Sequence, residues 1–210
     1  MIQAEHVTTH FGQNGFDPVS FTVGKGRLTG LTGTSGCGKT TLLNILTGML
    51  KPDSGTVRID GTDLQTLHGK ALAALRAQKT GYMMQGNVLL PDLTVMQNLL
   101  FPAQLAGRQV QKDHAAEIAE QLHISNILAS YPQEISGGEY RRVMLARILL
   151  LNTPVLIADE PTSNLDSESA GLVREVLTAR RDSGVTLLIA THDQQLLERA
   201  DAVISMERKK

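Results

Sequence analysis

Residues 33–40 read GTSGCGKT, and no other stretch restricts the fold so strongly. The string follows RLTGLT (27–32), which reads as a strand. It precedes TTLLNILTGML (40–50), whose leucines and isoleucine fall at helical spacing. Strand, glycine-rich turn and helix together bring backbone N–H groups and the positive end of a helix dipole to one point, which suits an anion. The pattern Gly-x-x-x-x-Gly-Lys-[Ser/Thr] adds a lysine for the β- and γ-phosphates of a nucleotide and a hydroxyl for Mg²⁺. Here these are Lys39 and Thr40. A plain surface turn needs neither. The expected nucleotide contacts are Gly33, Thr34, Ser35, Gly36, Cys37, Gly38, Lys39, Thr40 and Thr41.

Around this loop the chain reads as strands alternating with helices, interrupted by a helical insert. IQAEHV, PVSFTV and RLTGLT are strands in the first third, and KPDSG is a turn before the short strand TVRIDG. From about Gly86 to Leu151 the periodicity is helical, broken by Pro91, Pro102 and Pro132, with no convincing strand. PVLIAD (154–159), VTLLIAT (185–191) and AVISM (202–206) are apolar runs suited to strands buried on both faces of a parallel sheet. Between the first two, Leu172, Val173, Val176 and Leu177 share one helix face.

A nucleotide–Mg²⁺ site also needs a carboxylate at the end of a neighbouring strand. PVLIADE ends in Asp159, expected at the metal, and Glu160, the right residue type to orient or deprotonate an attacking water. Phosphoryl transfer asks little more of a protein than positioning, charge stabilisation and that base. A second anion-ready helix start lies in ISGGEYRRVMLARILL (135–150), opened by Ser136 and two glycines.

These strings resemble the ATP-binding cassette ATPases, the nucleotide-binding subunits of ABC transporters. GTSGCGKTT is similar to their Walker A motif, VLIADE to Walker B and ISGGE to the family signature. SNLD (163–166) matches the D-loop, and THD (191–193) contains the switch histidine, His192. Gln85 falls at the Q-loop glutamine, and Phe11 falls where an aromatic stacks on adenine. The resemblance implies an α/β, RecA-like P-loop NTPase core with a mainly parallel sheet, N-terminal antiparallel strands and a helical subdomain. Residues 1–85 and 152–210 would form the core, and about 86–151 the subdomain, within a single cassette.

The same resemblance implies the site. Glu160, His192, Lys39 and Gln85 would serve catalysis, with Gln85 joining Thr40 and Asp159 at Mg²⁺. Ser136, Gly137, Gly138, Glu139 and Asp166 would join the nucleotide contacts, the signature reaching the γ-phosphate held by a second copy. ATP is then the substrate, and the partners are a second ATPase protomer and a separate transmembrane permease. The branch that looks most similar contains macrolide exporters, lipoprotein-release ATPases and peptide-resistance exporters. An ABC ATPase of a non-transport membrane complex, such as a division complex, is the alternative. Departures from the family pattern are Ile135, Glu139, Tyr140, Gln97 and Phe11, and Tyr140 has no explanation in the sequence.

Composition removes several other classes. A net charge of −1 over 210 residues gives no general attraction to nucleic acid. One cysteine, Cys37, excludes an internal disulfide and fits a reducing compartment. The N-terminus lacks a basic segment followed by an apolar core, and the apolar runs fall well short of the roughly 20 residues of a spanning helix. A cytoplasmic protein, peripheral on the inner membrane face through its permease, is expected. The arginines at 141, 142 and 147 spread over more than one helix face, which favours a solvated face or an interdomain contact.

Overall fold

The computed structural model describes residues 1–11, 14–86 and 88–207. Along the chain run β1 (Ile2–Phe11), β2 (Asn14–Val23), β3 (Leu28–Gly33), α1 (Lys39–Leu46), β4 (Ser54–Ile59) and β5 (Thr62–Asp63). Next come α2 (Gly69–Lys79), β6 (Thr80–Met83), α3 (Val95–Leu105), α4 (Lys112–Gln121) and α5 (Gly137–Leu149). The chain closes with β7 (Val155–Asp159), α6 (Ser167–Asp182), β8 (Thr186–Ala190), α7 (Gln194–Leu197) and β9 (Ala202–Met206).

Two sheets result. One is antiparallel, ordered β2-β1-β4-β5, and the other is parallel throughout, ordered β6-β7-β8-β3-β9. All five residues of β7 and of β8 are buried, as their unbroken apolar runs require of strands covered on both faces. Their two-residue period decides which core each side chain enters. Leu156, Ala158, Leu187 and Ile189 face a core shared with Leu99, Ile118, Val143 and Val173 of the helices. Val155, Ile157, Leu188 and Ala190 face the other, shared with Leu42 and Leu46 of α1 and with Ile2, Val7 and Phe16 of the antiparallel sheet. Emptying a buried leucine in either layer costs roughly 2–5 kcal/mol, so the sheet is anchored from both sides.

Among the described residues 86–151 there are helices and turns and no strand. Two local expectations are corrected. Pro102 lies inside α3 rather than ending a helix; three residues from the C-terminus it forfeits one backbone bond, and the apolar face of Val95, Leu99 and Ala103 keeps the helix docked. β6 was not anticipated, because four residues containing Gly81 carry too little pattern. It forms by pairing in parallel with β7, from Thr80 opposite Val155 to Met83 opposite Ala158.

Candidate functional site

The loop after β3 owes its shape to what lies beneath it. Gly38 has φ +98°, and a Cβ there would sit 2.8 Å from Cδ1 of Phe16, a core residue of β2. A Cβ on Gly33 would meet the Met206 carbonyl oxygen at 2.4 Å. Cys37 is wholly buried in the same core, so its side chain fills space under the loop. α1 then opens at Gly38 with no side-chain cap, which leaves its first N–H groups available to an anion. Lys39 curls back over the loop, its Nζ donating to the Gly33 carbonyl at 2.8 Å and lying 3.4 Å from His192 Nε2.

β7 delivers the acidic pair. Asp159 is 2% exposed and accepts a 2.5 Å hydrogen bond from Thr40 Oγ1. Burial pushes its carboxyl above the usual aspartate range, against the pull of Thr40, Lys39 and Arg141. A desolvated carboxylate beside a hydroxyl, facing a cleft, is a donor set that fits Mg²⁺, which takes one or two protein oxygens and completes its shell with phosphates and water. Among the described residues no group of three or more His, Cys, Asp or Glu could hold a metal ion.

Glu160 turns the chain out of the strand with φ +51°, a left-handed value that a non-glycine residue adopts at a cost. Its N–H is held by the Ala190 carbonyl at 2.8 Å. Its Oε1 lies 3.7 Å from His192 Nε2, so His192 stands between Glu160 and Lys39. These groups border a cleft of about 1200 Å³ that Ser35, Gly36, Thr41, Gln85 and Gly137 also line. Gln85 is exposed in the bend after β6. Phe11 ends β1, and its side chain lies outside the described residues.

A family model described as ABC transporter matches residues 16–163. The chain belongs to the ABC transporter family. Other members show how much of it is shared. The lipoprotein-releasing system ATP-binding protein LolD of Porphyromonas gingivalis is 34% identical over 210 residues, 98% of this chain and 96% of that protein. The macrolide export ATP-binding/permease protein MacB of Shigella flexneri is 41% identical over 190 residues, 90% of this chain but 29% of that protein. Several curated relatives are thus much longer than this ABC chain. The dimeric structure of a bacterial ABC transporter cassette superposes with a TM-score of 0.93 at 28% identity, over 99% of this chain and 94% of that one. A second, also dimeric and described as a post-hydrolysis state bound to ADP and Pi, gives 0.92 at 28% identity over 100% and 97%.

Seen as an ABC cassette, the chain's two motif regions differ in surroundings. The signature opens α5 with a capping box: Glu139 N–H donates to Ser136 Oγ at 3.3 Å, while Ser136 N–H donates to Glu139 Oε2 at 2.9 Å. The Ser136 hydroxyl also donates to that carboxylate at 2.7 Å, and these bonds hold Glu139 below the usual range. Ser136 and Gly137 are exposed at the head of the helix. Asp166 is exposed too and caps α6, accepting from Ser169 N–H at 2.9 Å. Neither Ser136 nor Asp166 borders the cleft that Lys39 and Glu160 share.

Tyr140, unexplained by sequence, accepts a 2.8 Å bond from Leu89 N–H, and Arg147 donates to the Val88 carbonyl at 2.9 Å. α5 therefore grips the segment that leaves Gln85. Arg141 and Arg142 reach Ser163 and Ser169, so all three arginines make contacts between elements rather than a solvated face. Sequence reasoning missed Phe16 under the loop and Arg174, which pairs with Asp193 next to His192. Arg174 lies on the buried stripe of α6 with Ala170, Val173 and Leu177, and a charge on such a stripe is itself the signal of a buried partner. No helix of the described residues is long and apolar enough to cross a membrane.

Proposed function

We infer that this chain is the ATP-binding and ATP-hydrolysing subunit of an ABC transporter, working as a head-to-tail pair that drives a separate membrane permease of an export system. The observation that carries the reading is the Thr40–Asp159 bond at 2.5 Å set beside Lys39, directly above an uncapped helix start. Lys39 exchanges its loop carbonyls for the β- and γ-phosphates of ATP. Thr40 and Asp159, with Gln85, hold Mg²⁺, which when bound offsets negative charge on the phosphates. Glu160 orients and polarises the attacking water. His192, between Glu160 and Lys39, senses the γ-phosphate.

The exposed Ser136–Glu139 turn has no role in its own chain's cleft beyond Gly137, which suits a contact made to the ATP of a second copy. Dimeric cassettes with TM-scores of 0.93 and 0.92 support the pairing. Relatives named for macrolide export and lipoprotein release support the export setting. The cassette would divide into an ATPase core, residues 1–85 and 152–210, and a helical subdomain at about 86–151 that passes motion to the permease. It would lie on the cytoplasmic membrane face.

Glu160→Gln tests the whole reading. Hydrolysis should slow by roughly 10²–10⁴-fold, the usual worth of general-base help, with ATP binding intact. The closed dimer should then accumulate, because ATP stabilises it and is no longer consumed. Adding Ser136→Arg should return the protein to monomer by setting bulk and charge against the partner's phosphate. Size-exclusion chromatography with light scattering reads both. An E160Q protein that hydrolyses at the parent rate, or stays monomeric in excess ATP, defeats the reading.

A further inference from the structure

Glu160 sits in a backbone conformation that needs outside support, and its carbonyl identifies the source. That oxygen accepts from Ser163 N–H at 3.2 Å and from Ser163 Oγ at 3.0 Å. Ser163 Oγ in turn accepts from Nη2 of Arg141, which reaches across from α5. Arg141 borders the same cleft as Asp159 and Glu160 and is attracted to both carboxylates. Its guanidinium is partly desolvated there, a cost that the two carboxylates only partly offset. A left-handed non-glycine residue persists only where its surroundings over-determine it. At Glu160 the clamp has one side in the sheet, the Ala190 carbonyl, and the other in Ser163 and Arg141.

We propose that Arg141 is a positioning residue for ATP hydrolysis, holding the Glu160 carboxylate in its working place through Ser163. This rests on Glu160 being the group that orients the attacking water. Arg141 lies one turn into the helix whose first residues form the signature, so the link ties the base of one site to the segment offered to the other. A pull on α5 moves Ser163, and Ser163 carries the turn that aims Glu160. Arg141 makes no bond to Lys39 or Thr40, so its replacement leaves the phosphate loop's own contacts in place.

The test is a double-mutant cycle on the full chain, reading kcat for ATP hydrolysis, Mg·ATP affinity by calorimetry and the melting temperature. Arg141→Gln should lower kcat by roughly 10- to 10²-fold, the scale of an ångström-level misplacement of a catalytic group. Affinity should stay within about twofold, because the phosphate contacts are elsewhere. Ser163→Ala should reproduce the fall, and the double variant should be no slower than the slower single one, since both break one link. Arg141→Lys, which restores a cationic donor toward Ser163, should recover part of the rate.

Parent kcat in R141Q, additive losses in the double variant, or affinity falling together with kcat would overturn the assignment. If R141Q folds poorly, S163A carries the test, and parent kcat in S163A is equally fatal. Glu160→Gln run alongside separates the two claims. An inactive E160Q with a fully active R141Q removes Arg141 alone, whereas an active E160Q removes the base on which the inference rests.

Discussion

Arg174 of α6 donates to Asp193 at 2.8 Å, with the two side chains only 10% and 12% exposed. Asp193 follows His192 and caps α7, accepting from Leu196 N–H at 3.2 Å. The pair therefore fixes the backbone from which the histidine is hung. A buried ion pair is weak grounds for net stability, yet removing one partner strands the other charge away from water.

Arg174→Ala should accordingly destabilise the fold by roughly 3–5 kcal/mol, the range for a broken buried pair. Arg174→Met, which fills the volume, still leaves Asp193 without its cation and should do little better. Urea denaturation at neutral pH measures it. A loss under about 1 kcal/mol would mean that water or another group solvates Asp193.

The same pair predicts an acid transition. Burial raises the Asp193 carboxyl, but hydrogen bonds from Arg174 and Thr162 outweigh it and leave the group below the ordinary value of 3.8. A depressed acid contributes stability that is intact above its unfolded pKa and is lost as pH falls through the lower folded one. Melting temperatures followed downward from about pH 5 should fall less steeply in R174A than in the parent. Equal slopes would exclude the pair as a source of acid sensitivity.

Asp159 has the opposite sign. Its raised carboxyl means that ionisation opposes folding, so at neutral pH the free protein carries a cost that a bound cation relieves. Asp159→Asn keeps an oxygen for Thr40 and removes the charge. The free variant should therefore melt higher than the parent. It should also lose the part of ATP stabilisation that depends on Mg²⁺. Scanning fluorimetry with ATP in Mg²⁺ and in EDTA distinguishes the two, and a D159N protein that melts lower when free contradicts the argument.

Gly38→Ala should be more harmful than a loop glycine ordinarily is. A left-handed alanine costs about 1–2 kcal/mol, and the new methyl meets the Phe16 ring at 2.8 Å. Adding Phe16→Leu should recover the steric part but not the backbone part. If G38A retains parent stability and ATP affinity, the loop is not resting on Phe16.

What could be read from the sequence was what is local in it. Lys39, Thr40, Asp159 and Glu160 each stand at a strand end or helix start whose pattern occupies a dozen neighbouring residues, and they meet in one cleft. The complete burial of β7 and β8 follows from apolar runs too short for helices. Arg141 could not be recognised, because its partner Ser163 is 22 residues away and only the fold brings them together. Arg174 and Phe16 share that difficulty: an arginine on a helix and a phenylalanine in a strand have many ordinary uses. β6 escaped because its pairing with β7, not its four residues, makes it a strand. Pro102 misled because a proline near the end of a docked helix forfeits little.

The parallel sheet has a consequence for how the protein is made. β3, which carries the phosphate loop, lies between β8 and β9, and both of those come from residues beyond 185. Until those residues are made, the loop's strand has no parallel neighbour, and Asp159 has none on the β8 side. Pairings of such long separation form slowly, and these wait for residues beyond 185. A fragment that ends before residue 185 therefore lacks both of the strands that flank the phosphate loop's strand.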